Sequence, residues 1–418
     1  MTTHDTAVDP LFGPDIVQQP HDYYRHLRQT DPVHEVIPGT YLVTRLELIH
    51  EVVNKTAEYS STATGFLHKG DWPTPALRDL VPTPEGEPPA EVPGVVATAD
   101  PPDHERQRKV LSRSFSNTSI RAMEPAFRQL VTDALARHGA DGRLEWMDQV
   151  AEPLPMVMVA RILGLPDDQA PQLKRLGYAL VDRIGGFLPD ARIDEIDAAG
   201  LEDMAPLIEA YFDARGGSDH YGDGVIATVA NAVDAGELDD MEAIGILTLI
   251  VAAGGESTTS LLGTAVRLLA ERPELQEQLR AEPDKIPTFV EECLRWDPPF
   301  RGHYRITTQD TVLGDTPIPG GSHVVLMWAA ANRDDSTFDQ PDEVRLDRAN
   351  PRYHVGFGWG IHLCIGAPLA RLEAKVALEE LLATTRSFEL DPNAPLPEYH
   401  PSLMVRRLAA LPLVLRPE

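Results

Sequence analysis

The sequence predicts a mainly α-helical fold with smaller β regions, and three observations support this prediction. Between about residues 103 and 297, apolar residues recur at the three- and four-residue spacing of helices. Part of that region is apolar on nearly every face, which is typical of a helix buried through a core. After Pro298, short apolar runs alternate with glycine turns, which favours small sheets.

The first hundred residues predict a β-rich N-terminal part at about 30–60, followed by a long loop at about 60–98. Tyr41-Leu42-Val43 is typical of a strand and precedes a helix expected around Arg45 to Asn54. Seven prolines lie between Trp72 and Gly94. Because proline fixes φ and removes a hydrogen-bond donor, this segment predicts either a functional lid or a disordered loop.

The middle of the chain predicts a helical core over about residues 103–297. Within it, residues 239–271 predict one helix of about 33 residues, roughly 50 Å long. Asp239 and Asp240 favour its start, and Pro273 lies just beyond its end. A second helix is predicted from about Lys285 to Trp296.

The C-terminal part combines one long helix with short strands. Ala367 to Thr384 is predicted to be helical, because its apolar residues recur every three or four positions. Strands are predicted at Tyr304-Arg305-Ile306, at Val324-Val325-Leu326 and from Leu411 to Leu415.

Composition excludes several classes of protein. The 418 residues contain 37 Lys and Arg against 65 Asp and Glu, a formal net charge of −28. Charge of this sign argues against nucleic acid and anionic membranes as partners. The N-terminus lacks the pattern of a secretory signal, and no apolar stretch reaches the ~20 residues that cross a bilayer. We therefore expect a cytoplasmic protein that contacts no membrane.

The most specific feature is the segment FGWGIHLCIG at residues 357–366. It places Cys364 in a glycine-rich loop just before a helix, where the helix dipole and backbone N–H groups favour a thiolate. The other cysteine, Cys293, lies on a predicted helix and is expected to fill core space. One thiolate cannot form a cysteine-rich zinc or iron–sulfur site, so heme iron is the natural candidate.

This segment resembles the heme-binding signature of cytochromes P450, F-G-x-G-x-H-x-C-x-G, and three further segments resemble motifs of that family in the same order. The resemblance implies a cytochrome P450 fold in a single domain spanning 1–418. Heme b is expected between the long central helix and a heme-thiolate loop at 353–366. The resemblance implies Cys364 as the axial iron ligand. It implies Phe357, Gly358 and Gly366 as heme-binding residues.

The second segment is Glu292-Cys293-Leu294-Arg295, which resembles the E-x-x-R motif of the family. Side chains three residues apart share a helix face and can pair. The resemblance implies a third member, an arginine before the cysteine loop, and Arg348 matches it. Such a network is expected to hold the cysteine loop in place.

The third segment is AGGEST at residues 253–258, inside the predicted central helix. It resembles the oxygen-activation motif of the family, in which an acid and an alcohol supply protons to O2. The resemblance implies catalytic roles for Glu256 and for an alcohol, with Ala253 beside the heme. The alcohol position holds Ser257 where threonine is usual, and Thr258 follows as an alternative donor.

The fourth segment surrounds His104 and Arg108, one helical turn apart, and resembles the H-x-x-x-R motif of the family. The resemblance implies that both bind heme propionates, together with Arg305 and His362. Arginine is suited to this role because its planar fork matches a carboxylate.

The resemblance implies a heme-thiolate monooxygenase that inserts one oxygen atom from O2 into a substrate. No G-x-G-x-x-G fingerprint is present, so electrons are expected from a separate ferredoxin and ferredoxin reductase. Four basic side chains against one glutamate over His104 to Arg113 favour steering of an acidic ferredoxin to this helix. A peroxide-driven peroxygenase and a non-catalytic heme-binding protein are the alternatives.

The expected substrate is a lipophilic small molecule, with hydroxylation as the expected reaction. Family resemblance places substrate contacts in the proline-rich loop, in the helices around residues 176–188, near Ile250 and Ala253, after Pro299 and near Leu403-Met404. These segments supply mostly apolar side chains, namely Phe66, Phe187, Leu188 and Phe300.

Overall fold

The computed structural model describes residues 9–62, 94–185 and 190–417. The proline-rich loop predicted over about 60–98 lies outside the described residues except at its two ends, and Phe66, Phe187 and Leu188 lie outside them as well.

The described chain is mainly helical, as predicted. The α-helices are α1 (Pro14–Gln18), α2 (His21–Thr30), α3 (Leu46–Asn54), α4 (Asp103–Leu111), α5 (Asn117–Ala122), α6 (Glu124–His138), α7 (Pro153–Leu163), α8 (Ala170–Ile184), α9 (Asp190–Arg215), α10 (Val225–Asp234), α11 (Asp240–Gly254), α12 (Glu256–Glu271), α13 (Pro273–Ala281), α14 (Ile286–Trp296), α15 (Trp328–Ala331) and α16 (Ala367–Thr384). A π-helical turn at Met147–Ala151 leads into α7.

Three small sheets accompany the helices. The strands are β1 (Val33–Ile37), β2 (Thr40–Val43), β3 (Tyr59–Ser60), β4 (Arg143–Glu145), β5 (His303–Thr307), β6 (Thr311–Leu313), β7 (Thr316–Ile318), β8 (His323–Leu326), β9 (Thr385–Leu390) and β10 (Pro412–Pro417). The largest sheet has the order β1-β2-β8-β5-β3, in which β2 and β8 run parallel and the other neighbours run antiparallel. The others are the antiparallel sheet β4-β10-β9 and the hairpin β6-β7.

The sequence predictions for individual elements are confirmed with small differences at their ends. Helices α3, α14 and α16 match the predicted helices, and strands β2, β5, β8 and β10 match the predicted strands. The last of these begins at Pro412 and continues to Pro417 rather than ending at Leu415.

The prediction of one unbroken helix over 239–271 is wrong at one point, because α11 ends at Gly254 and α12 begins at Glu256. The Ser257 hydroxyl donates to the Ala253 carbonyl at 2.7 Å, a side-chain bond to the preceding turn that bends helices. Helix α7 also approaches closely here: a Cβ on Gly255 would lie 2.0 Å from the Met156 sulfur. Asp239 caps the start of α11 with Glu242, as expected from its acidic start.

This broken helix lies at the centre of the molecule. Helix α11 packs against α8, and α12 packs against α14 and α16. Among the described residues, Asp240–Glu271 is the one stretch whose length and apolar composition would allow it to cross a bilayer. In its most apolar window, 67% of the residues are buried inside the protein, which is also the character of a core helix.

Candidate active site

The cysteine loop is a tight backbone structure between β8 and α16. Gly358 and Gly360 both have φ of 72°, a left-handed conformation that glycine adopts without steric cost. The Cys364 amide donates to the Phe357 carbonyl at 2.9 Å, which closes the loop upon itself. The backbone path that presents the cysteine therefore requires glycine at positions 358 and 360.

The Cys364 thiol is surrounded by protein and yet remains accessible. The surrounding protein raises the pKa of the thiol, while the backbone N–H groups of Gly366 and Ala367 and the guanidinium of Arg108 act to lower it. The residue is nonetheless exposed to solvent. Because Cys364 is surrounded by protein and also accessible, we infer that its side chain faces an opening within the protein. The two N–H groups at the start of α16 favour its anionic form.

At the break in the central helix, one face of the helix is accessible although most of the helix is buried. Ala253 is exposed and Ser257, one turn further on, is half-buried, so both lie on one accessible face. Thr258 is 4% exposed and lies beside the buried carboxyl of Glu373 on α16. The structure therefore places Ser257, and not Thr258, on the accessible side of the helix.

Glu256 is buried beside these residues and is held by an arginine from the C-terminal segment. Its Oε1 accepts from Arg407 Nε at 2.9 Å, and Arg407 Nη1 donates to Glu152 at 3.0 Å. Lys174 pairs with the same Glu152 and is partly exposed, so the chain of charges reaches the surface. Burial raises the pKa of Glu256 to about 7, although Arg407 acts to lower it. A carboxyl with this pKa can hold or release a proton near neutral pH.

The four residues expected to bind propionates converge around the cysteine loop. The rings of His104 and His362 lie 4.3 Å apart, and Arg108 donates to the Leu363 carbonyl at 2.6 Å. Burial, with the neighbouring cation Arg305 and with His104, lowers the pKa of His362 to about 3. Burial likewise lowers the pKa of Arg305 to about 10. This environment favours an anionic partner.

The unpartnered atoms of the cluster fit heme. Among the described residues, both ring nitrogens of His104 and the Nδ1 of His362 are buried without a hydrogen-bond partner. Buried polar atoms are rarely left in this state unless a ligand, ion or water completes them. The two carboxylates of heme supply acceptors of the right charge, and Cys364 supplies a ligand for its iron. The residues present therefore fit this cofactor.

Behind the loop, the network predicted from the E-x-x-R segment is confirmed. Glu292 Oε1 accepts from Arg295 Nε and from Arg348 Nε, each at 2.7 Å. Glu292 and Arg295 are both 0% exposed. Burial acts to raise the pKa of Glu292, but the two arginines hold it below its usual value. Arg295 also donates to the carbonyls of Pro341 and Glu343, which fixes the segment that leads to the cysteine loop.

Comparisons with known proteins agree with this geometry. The family model described as Cytochrome P450 matches residues 223–412. Over 410 residues, the chain is 38% identical to cytochrome P450 144 of Mycobacterium tuberculosis, covering 97% of this chain and 91% of that protein. The chain belongs to the cytochrome P450 family. It is thus a member of a family of heme-thiolate monooxygenases.

Other similar proteins span nearly the whole of this P450. It is 35% identical to the erythromycin C-12 hydroxylase of Saccharopolyspora erythraea over 366 residues, or 87% of this chain and 86% of that protein. The structure of cytochrome P450 CREJ in complex with (4-ethylphenyl) dihydrogen phosphate has a TM-score of 0.86 and 27% identity, covering 95% of this chain and 97% of that one. The structure of CYP109E1 from Bacillus megaterium in complex with testosterone has a TM-score of 0.81 and 26% identity. The match covers 96% of this chain and 98% of that one.

Several site residues of this P450 escaped sequence reasoning. Glu291, beside the E-x-x-R glutamate, accepts from His354 at 2.9 Å and from Arg371 at 2.7 Å. His354 in turn accepts from the Gly356 amide, so a second carboxylate holds the loop. Despite burial, these partners lower the pKa of Glu291 to about 2. The signal was present in the sequence as an acid directly before the E-x-x-R motif and a histidine at the start of the heme-thiolate loop.

Arg407, Glu373 and Ser61 were also missed. Arg407 and Ser61 contact Glu256 and His362 from positions far away in the sequence, and the part of the chain around them carries no motif. Glu373 follows the cysteine by nine positions on α16, where its acidic character among apolar residues was the available signal.

The basic surface expected on α4 is smaller than the sequence indicated. Arg106 pairs with buried Glu242 at 2.6 Å and with Asp103 at 2.7 Å, so its charge is neutralised locally. Arg371 is likewise paired with Glu291. The expected steering of a ferredoxin would therefore depend on Lys109, on this helix, and on Arg113, two residues beyond its end.

Three of the segments expected to contact substrate lie against one another, namely the segment after Pro299, the turn near Leu403 and the end of α8. Phe300 pairs in a β-bridge with Val405. The Leu403 amide donates to the Gly185 carbonyl at 3.1 Å, which joins the C-terminal turn to the end of α8. Phe300 also contacts His303 edge-on, with ring centroids 5.1 Å apart.

Proposed function

We propose that this P450 is a single-domain monooxygenase that inserts one oxygen atom of O2 into a lipophilic small molecule, with hydroxylation as its reaction. The observation that carries the proposal is that Cys364 stays accessible although protein surrounds its thiol, with the backbone N–H groups of Gly366 and Ala367 acting on its sulfur. When heme b is bound, it supplies the activation of O2.

The residues around the loop would hold that heme. Cys364 would ligate the heme iron through its thiolate, and Phe357, Gly358 and Gly366 would contact the cofactor from the cysteine loop. The propionates would be bound by His104, Arg108, Arg305 and His362. Buried ring nitrogens of the two histidines lack a partner among the described residues, and Arg108 is held in this cluster by the Leu363 carbonyl. Ala253 lies on the accessible face of the central helix.

Glu256 and Ser257 would deliver protons to the site. Glu256 has a pKa of about 7, which suits a proton donor at neutral pH. Its Oε2 has no partner among the described residues, so that oxygen is free to receive or donate a proton. Ser257 follows it on the accessible face, where its hydroxyl can hydrogen-bond outward as well as to Ala253. Thr258 is the alternative alcohol, but its buried position beside Glu373 favours Ser257.

A lipophilic substrate agrees with the apolar residues around the site and with similar proteins. A similar protein is named as a hydroxylase of erythromycin, and a similar structure holds testosterone. Electrons would come from a ferredoxin and its reductase in the cytoplasm, because the sequence carries no dinucleotide fingerprint of its own.

The decisive experiment compares the wild-type protein with Cys364→Ala after expression with heme supplied. The reduced wild type should show the red-shifted CO absorption band of thiolate ligation, and the variant should lack it. A colourless wild type, or persistence of the band in the variant, would contradict the assignment of the ligand.

The reaction class is tested by turnover with a lipophilic library. Product with a reconstituted ferredoxin system, and little with peroxide alone, is the expected result. Product with peroxide alone would indicate a peroxygenase, and no product under either condition a non-catalytic heme protein. Raised ionic strength should slow reduction by the ferredoxin if Lys109 and Arg113 attract it.

A further inference from the structure

Ser61 contacts the heme-loop histidine from outside every motif of the sequence. Its hydroxyl lies 2.9 Å from His362 Nε2, and the two residues are 301 positions apart. Ser61 is 2% exposed, so water does not compete for this hydrogen bond. The contact joins the end of β3 to the cysteine loop.

Asp100 holds Ser61 in place. The Ser61 amide donates to Asp100 Oδ1 at 2.7 Å, and the neighbouring Ser60 hydroxyl donates to Asp100 Oδ2. The Asp100 carbonyl accepts from the His104 amide at 3.0 Å. One residue thus fixes the backbone of Ser61 and begins the turn that carries the second histidine of the cluster.

The sheet register places Ser61 near the cationic cluster. Strands β3 and β5 are antiparallel and pair Ser60 with Ile306. Ser61 follows the last residue of β3, and Arg305 precedes Ile306 on β5. Arg305 is also close enough to His362 to lower the pKa of that histidine, so the ring contacted by Ser61 belongs to this cluster.

This geometry determines which ring nitrogen of His362 is available. Nε2 is occupied by Ser61, whereas Nδ1 is buried and has no partner among the described residues. A neutral imidazole carries its proton on one nitrogen, and the bond made by the other nitrogen selects which one. When the serine hydroxyl donates to Nε2, the proton lies on Nδ1, which becomes a donor.

We propose that Ser61, itself held by Asp100, is a positioning residue that orients His362 so that Nδ1 donates a hydrogen bond to a heme propionate. The inference rests on the heme binding proposed above. It adds a residue of the N-terminal sheet to the set that retains the cofactor. It also explains why a serine hydroxyl is buried against the loop, where a methyl group would fill the same space.

The test is the rate at which the holoprotein loses heme to excess apomyoglobin, measured from the absorption change. Ser61→Ala should lose heme about tenfold faster than wild type, which is the upper end of the effect of removing one buried hydrogen bond. Ser61→Thr keeps the hydroxyl and should restore slow loss. Ser60→Ala is the matched control, because that hydroxyl bonds Asp100 and not His362, and its rate should stay close to wild type.

Two further measurements separate positioning from general destabilisation. In the His362→Ala background, Ser61→Ala should have no additional effect, because the serine acts through the histidine. Resonance Raman spectra should show a shifted propionate bending mode in Ser61→Ala and an unshifted one in Ser60→Ala. Equal rates in Ser61→Ala and Ser60→Ala, or a full Ser61→Ala effect without His362, would overturn the proposal. A wild type that binds no heme would instead refute the proposed function.

Discussion

Replacement of Arg407 by glutamine should move the protonation of Glu256 to higher pH. Arg407 is the strongest influence that lowers the pKa of this carboxyl, against the burial that raises it to about 7. An adjacent arginine lowers a carboxyl pKa by roughly 1 to 3. Without it, Glu256 should titrate near pH 8 to 10, by the same estimate. Arg407→Lys keeps the charge and serves as the matched control.

Stability should change with pH in the corresponding sense. The pKa of Glu256 is higher in the folded state than its ordinary 4.5. Between the two values the folded state keeps a proton that the unfolded state has released, so the free energy of unfolding falls as pH rises. The fall should total about 3 kcal/mol between pH 4.5 and 7 and then level off. In Arg407→Gln it should continue above pH 7, by about 1.4 kcal/mol for each further pH unit.

The assay is infrared spectroscopy of the holoprotein over a pH series. The carbonyl band of a protonated carboxyl is assigned to Glu256 by subtracting the spectrum of Glu256→Gln. Its intensity should halve near pH 7 in the wild type and at clearly higher pH in Arg407→Gln. An unchanged midpoint in Arg407→Gln would show that the 2.9 Å contact does not control the protonation of Glu256.

Three other changes test the remaining parts of the site. Glu292→Gln removes the negative charge that pairs with Arg295 and Arg348, whose side chains are nearly inaccessible to solvent. It should lower the free energy of unfolding in urea at pH 7 by about 3–5 kcal/mol, with exposed Glu282→Gln as the control. A loss below about 1 kcal/mol would contradict a buried charge network. Since its partners depress the pKa of Glu292, this stabilisation should also be lost as pH falls below the ordinary value of 4.5. Ser257→Ala should raise peroxide release per NADH consumed, whereas Thr258→Val should not, because Ser257 lies on the accessible face and Thr258 is buried. The reverse result would assign the role of the proton-delivering alcohol to Thr258. Glu373 is buried beside Thr258 on α16, and burial raises its pKa well above the usual value. As pH rises above the ordinary value of 4.5, Glu373→Gln should therefore gain stability relative to wild type by about 1.4 kcal/mol per pH unit, and equal slopes would show that Glu373 is ionised in the folded protein.

Features that are local in sequence were predictable. The cysteine loop and the pairing of Glu292 with Arg295 depend on residues within a few positions of one another, and glycine and helix spacing leave clear patterns there. Helix α16 was predicted with both of its ends, because its apolar spacing and its flanking residues agree. The family and the position of Cys364 follow from those short segments.

The tertiary structure alone decided how distant residues complete the site. Arg407 reaches Glu256 across 151 positions, and Ser61 reaches His362 across 301. Such pairs depend on strand register and chain path, and a single side chain carries no sign of the partner it will meet. The choice between Ser257 and Thr258 has the same origin. Adjacent helical residues point about 100° apart, and the packing of the central helix against Met156 and Glu373 determines which of them faces the open side.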